Sequence, residues 1–107
     1  MEQWGLTKMV KVEIVVSAND GSAVREQIEA AGASGFTSVS RVSGLGHHGY
    51  HEGGALFNER DSMALLITVV PEAAAEGLVA GLRSFLESSP GVMFVSDVFV
   101  SRPEYFR

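Results

Sequence analysis

Between Met9 and Ser17, apolar and polar residues alternate. Val10, Val12, Ile14 and Val16 fall on one side, and Lys11, Glu13 and Val15 on the other. A period of two predicts a half-buried strand, because successive side chains point to opposite faces. Asn19-Asp20-Gly21-Ser22 is a turn with oxygens ready to cap a helix. From Ser22 to Ala31 the period lengthens, and Val24, Ile28 and Ala31 share one helical face, with Gly32 as the stop. Phe36 to Ser43, with Thr37 and Val39, has high extended propensity and predicts a second strand. Residues 44–61 lose all periodicity. They hold Gly44, Gly46, Gly49, Gly53 and Gly54, three histidines and several charges. A loop this long in so small a domain is often functional.

Met63 to Val70 is apolar at both alternating sets of positions. A strand with one wet face would alternate, so this one predicts cover on both sides: helices on one, neighbouring subunits on the other. Pro71 opens a second helix with Glu72 and Glu76 near its positive end. Ala75, Val79, Leu82 and Leu86 form its apolar stripe, which Leu78 and Phe85 widen. Ser88-Ser89-Pro90-Gly91 ends that helix, and Val92 to Val100 predicts a fourth strand before a polar tail. The order βαβ-βαβ predicts an α/β (α+β), ferredoxin-like sandwich spanning residues 1–107 as one domain. Two helices would cover one face of a four-stranded antiparallel sheet.

Composition adds a second reason to expect partners of the same chain. Of 107 residues, 46% are hydrophobic, a high share for a small monomer. Apolar surface buried between subunits accounts for this, as does a compact core rich in alanine and valine. The absence of cysteine excludes disulfides, thiolate metal sites and cysteine nucleophiles. A formal net charge of −5, with no lysine or arginine cluster, argues against nucleic acid. Met1-Glu2-Gln3-Trp4-Gly5 leads into no long apolar run, and no stretch reaches membrane-spanning length, so the expected location is cytoplasmic.

Several residues carry candidate chemistry. Gly44 and Gly46 read either as a turn needing positive φ or as backbone N–H groups placed to cradle an anion. Thr37 reads as a sheet residue or as a ligand contact. His47, His48 and His51 read as surface loop histidines, as an anion contact or pH-sensitive switch, or as zinc or copper ligands. Arg102 reads as surface charge or as a planar fork for a phosphate, and Arg41 and Arg107 as surface charge. Catalysis is not expected. Ser43 near His47 has no fixed geometry, and Glu52 and Glu59 share one loop.

The order of elements, the threonine of the second strand, the Gly44-Leu45-Gly46 exit and the long loop before the third strand resemble the PII signal-transduction superfamily over most of the chain. The resemblance is nearest to the PII-like proteins associated with carbon metabolism and carboxysome gene clusters. It implies a non-enzymatic homotrimer that binds adenine nucleotides in clefts between subunits. It also implies a flexible T-loop that docks on a transporter or enzyme of carbon metabolism, with membrane contact only through such a transporter. Gly35-Phe36-Thr37 is similar to the family's Gly-x-Thr, whose threonine contacts the base region. Gly44-Leu45-Gly46 is similar to the Gly-x-Gly at the base of the T-loop, and residues 47–61 to the loop itself. His47 takes the place of an arginine found in nitrogen-sensing members. Ser88-Ser89-Pro90-Gly91 occupies the phosphate-binding B-loop, which makes Ser89 and Gly91 candidates, and Arg102 matches a C-terminal arginine that reaches the phosphates.

The chain departs from the nitrogen-sensing pattern in its lysine-free B-loop and in a shorter T-loop. Tyr50 is present, but not in the context of the family's uridylylated tyrosine. Fewer positive groups imply fewer phosphates, so AMP or ADP is expected rather than ATP with magnesium and 2-oxoglutarate. The subgroup resemblance implies bicarbonate as a further ligand. The alternatives are a metal-binding trimer using the loop histidines, akin to copper-tolerance relatives, and an adaptor with no ligand.

Overall fold

The computed structural model describes residues 2–42, 44–46, 49–51 and 62–107. Glu2–Gln3 (β1) and Leu6–Ser17 (β2) form a hairpin through Trp4 and Gly5, whose φ angles are 55° and 72°. Two successive positive φ values are what a two-residue hairpin turn requires. The helix Gly21–Ala30 (α1) follows, then Thr37–Val42 (β3), Gly44–Gly46 (β4), Gly49–His51 (β5), Met63–Val70 (β6), Glu72–Leu86 (α2) and Gly91–Val100 (β7). A short 3-10 turn covers Pro103–Phe106.

The main sheet runs β7-β2-β6-β3, with every neighbouring pair antiparallel. The first strand of the repeat is thus central, beside the third, with the fourth and second outside. This is the ferredoxin-like arrangement expected from the order of elements. β1 pairs with the start of β2, at Glu2↔Thr7 and Gln3↔Leu6. β4 and β5 pair with each other in a separate two-stranded sheet. The Gly-x-Gly segment is therefore a short strand, not the turn its composition suggests. Its pairing with residues 49–51 occupies part of the backbone that an anion nest would use.

The core lies between helices and sheet. Val10, Val12, Ile14 and Val16 of β2 and Ala64, Leu66 and Val70 of β6 meet Val24 and Ile28 of α1 and Leu78 and Leu82 of α2. Apart from Ala64, each such side chain contributes about 1.5–3 kcal/mol on burial. The exposed ion pairs of Lys8 with Glu72 (3.5 Å) and Asp97 (3.7 Å) contribute about 0–1 kcal/mol each, so apolar packing sets the layer arrangement. α1 ends in a Schellman motif. Gly32, at φ 85°, donates to Glu29 (3.0 Å), and Ala33 N–H donates to Ile28 (3.3 Å).

The other sheet face carries no helix. The strand registers place Thr37, Val39, Met63, Leu65, Ile67, Val69, Val15, Val92 and Phe94 there. Phe94 is 55% exposed and Val39 44%. Within this apolar field stand Lys11 and Glu13, paired at 3.3 Å. Of the cover expected on both sides of β6, the helices supply one, and the other side lies on this open face.

Candidate functional site

Strand register decides which candidate residues can meet within one subunit. Thr37 opens β3 and pairs with Ile67, which pairs with Glu13, which pairs with Phe94. Thr37 therefore lies about 14 Å from β7, three strand spacings across the sheet. It points to the open face, in the same row as Ile67 and Phe94. Gly35 lies two residues upstream, outside the strand.

β3 leaves the ladder irregularly. Ser40 pairs with Ala64 and Val42 with Met63, so Arg41 is an extra residue, a bulge that bends the strand end. Gly44 and Gly46 follow in β4. The end of β3 that leads into them, at Val42↔Met63, lies at the end of the main sheet where Gly91 pairs with Val16, but at the opposite edge. His47, His48 and the rest of the 47–61 loop, apart from the β5 backbone, lie outside the described residues. Among the described residues no group of three or more His, Cys, Asp or Glu side chains comes together to hold a metal.

Ser89 and Gly91 stand where α2 hands over to β7. Gly91 has φ 149°. A Cβ there would lie 2.5 Å from the Val15 carbonyl oxygen, 3.0 Å from Leu86 Cδ2 and 3.1 Å from Val16 Cγ1. The glycine thus has a packing reason of its own, whatever its part in ligand binding.

Arg102 lies beyond the other end of β7. From the Val16↔Gly91 pair to the Thr7↔Val100 pair is about 30 Å of strand. Arg102 and Gly91 therefore cannot reach one small anion in the same subunit. The Arg102 guanidinium lies 5.6 Å from the Tyr105 ring centroid, and its Nη1 donates to the Tyr105 hydroxyl at 3.1 Å. The 3-10 turn explains this meeting. Tyr105 N–H donates to the Arg102 carbonyl at 3.0 Å, and side chains three apart eclipse in such a turn. Pro103 just after Arg102 was the sequence signal, since proline favours the first position of a helical turn. Tyr105 is the residue that motif reading missed. It uses one donor of the fork and leaves others to offer.

A groove of about 380 Å³ lies between the helices, lined by Gln27, Ala30, Ala31, Ala73, Ala74 and Gly77. It has no cationic lining residue to hold a phosphate, so it does not compete with the sheet edges for that role.

Comparison with known proteins gives the same arrangement a family. Residues 9–105 match the family model described as nitrogen regulatory protein P-II. The chain is similar to CPII, a nitrogen regulatory PII-like protein from Thiomonas intermedia K12, in a structure bound to ADP, AMP and bicarbonate. Identity is 37%, 95% of this chain and 96% of that chain are covered, and the TM-score is 0.87. A structure of CPII from the same organism bound to ADP and bicarbonate matches at 34% identity, over 95% and 97% of the two chains, with a TM-score of 0.84. The apo form of CPII matches at 32% identity, over 92% and 97%, with a TM-score of 0.72. None of the curated proteins matches. Among the described residues no helix is long and apolar enough to cross a membrane. The chain belongs to the nitrogen regulatory protein P-II family.

Proposed function

We propose that this chain is a non-enzymatic, homotrimeric regulator that binds ADP or AMP in clefts between subunits, with bicarbonate as a further ligand. The single observation that carries the reading is the dispersal of the candidate residues. Thr37, the Ser89–Gly91 corner and Arg102 occupy different edges and ends of one sheet, about 14–30 Å apart. An open apolar face adjoins them. In a trimer whose subunits pack by that face, one subunit's Thr37 and B-loop would meet another's Arg102 and complete a cleft that no subunit has alone. The bound ADP, AMP and bicarbonate of CPII support the choice of ligands.

In this reading Thr37 contacts the base region, and Gly35 lets the chain approach it. Ser89, Gly91 and Arg102 meet the phosphates. Gly44, Gly46 and His47 are the residues through which the ligand would influence residues 47–61. That loop docks on a partner, a transporter or enzyme of inorganic-carbon metabolism, in the cytoplasm. Three scattered contacts and a lysine-free B-loop favour AMP and ADP over ATP. The test is calorimetry with ADP and AMP, with and without bicarbonate, alongside sedimentation equilibrium. Saturable binding to a trimer is expected. A monomer, or no heat of binding at millimolar nucleotide, refutes the reading.

A further inference from the structure

We infer that Thr68 is a positioning residue for the nucleotide site, its buried hydroxyl fixing the Gly35 peptide and so the place of Thr37. The inference rests on the reading of Thr37 as a nucleotide contact. Thr68 is 2% exposed and sits on the helix side of β6 between Leu66 and Val70, opposite Val12. Every neighbour named there is apolar. A hydroxyl buried in such a place is costly unless it is bonded. Its partner is the Gly35 carbonyl, to which Oγ1 donates at 2.6 Å. Gly35 lies outside β3, so the sheet ladder does not hold its carbonyl. The threonine supplies the tie that the ladder lacks.

The residues around Gly35 are tied in the same way, each to a different place. Ala33 N–H donates to Ile28 at the end of α1, and the Ser34 hydroxyl donates to the Arg107 carbonyl at 3.0 Å. Arg25 of α1 lies over the Phe36 ring at 5.1 Å. Four consecutive residues are thus anchored to the helix end, the C-terminal segment, β6 and the helix flank. Thr37 is next, and its ladder partner Ile67 adjoins Thr68. An unanchored run-in would leave Thr37 at a fraying strand end. Binding would then carry the cost of ordering it.

The test compares wild type, Thr68→Val and Thr68→Ser. Two readouts are used: ADP affinity by calorimetry, and amide exchange across Gly35–Ser40 in the ligand-free protein. Thr68→Val keeps the shape and loses the donor. It is expected to bind ADP about five- to tenfold more weakly, the effect of one lost hydrogen bond. Faster exchange in that segment and a melting temperature lower by only a few degrees are expected with it. Thr68→Ser keeps the donor and is expected to stay within about twofold of wild type. In a Thr37→Ala background Thr68→Val should add little further loss, because the two act through one contact. ADP affinity or exchange unchanged in Thr68→Val, beside a wild type that binds, overturns the inference. Faster exchange in Thr68→Val beside a wild type that binds no ADP leaves the anchor standing and overturns the nucleotide reading instead.

Discussion

Gly91→Ala is expected to destabilise the protein by about 2–6 kcal/mol, from two sources. At φ 149° the backbone lies where side chains are rarely found, which costs about 1–3 kcal/mol. The new methyl also meets the Val15 carbonyl oxygen at 2.5 Å. Leu86 can turn its methyl aside, but Val15 belongs to the central strand and is paired on both sides, with Leu65 and Val92. Relief therefore requires β7 to move off β2, an overpacking cost of about 1–3 kcal/mol. Against a total stability of about 5–15 kcal/mol this is a large loss. Urea unfolding at fixed protomer concentration measures it, since association shifts apparent stability. A loss under about 0.5 kcal/mol would refute the packing account. Gly91 would then owe its identity to the ligand alone.

Gly77→Ala is the matching control. A Cβ there meets nothing within 4 Å, so the same assay should show a gain of about 0.4–1 kcal/mol from helix propensity and reduced chain entropy. Ile67→Asp places a carboxylate in the middle of the open apolar face. Sedimentation should show monomers in place of trimers, and an unchanged trimer would mean that another surface joins the subunits. Thr37→Ala should weaken ADP and AMP about equally in calorimetry, whereas Arg102→Ala should weaken ADP more than AMP. Equal losses from Arg102→Ala would place that arginine away from the outer phosphate.

Hydrophobic period was enough to read the layers. Val10 to Val16 and the doubly apolar Met63 to Val70 identified the two central strands, and Val24, Ile28, Leu78 and Leu82 the faces of the helices over them. The N-terminal hairpin had no such sign, because Trp4 at positive φ is not a residue that announces a turn, although Gly5 beside it is. Gly44-Leu45-Gly46 read as a turn since glycine weakens strands. Its extended form comes from pairing with residues 49–51, a contact that composition does not encode. The candidate residues came from residue type at Thr37, Gly44, Gly46 and His47 and from the family resemblance at Gly35, Ser89, Gly91 and Arg102. Their separation was not legible in the sequence, because the distance from Gly91 to Arg102 acquires meaning only when strand order and register are known. Thr68 hid in an apolar run, where a threonine looks like a valine until its hydroxyl finds Gly35.

A rotation axis multiplies charge. In a trimer closed over the open face, every side chain near the axis stands beside two copies of itself. Like charges about 6 Å apart repel by about 3 kcal/mol per pair at an effective dielectric of about 20. Lys11 and Glu13 on that face would escape this because each subunit carries both, 3.3 Å apart on one strand. What the axis repeats is a nearly neutral dipole, free to exchange partners around the ring. If that pair lies near the axis, the two residues would be replaceable together and not singly, since removal of either one would leave three converging charges of one sign.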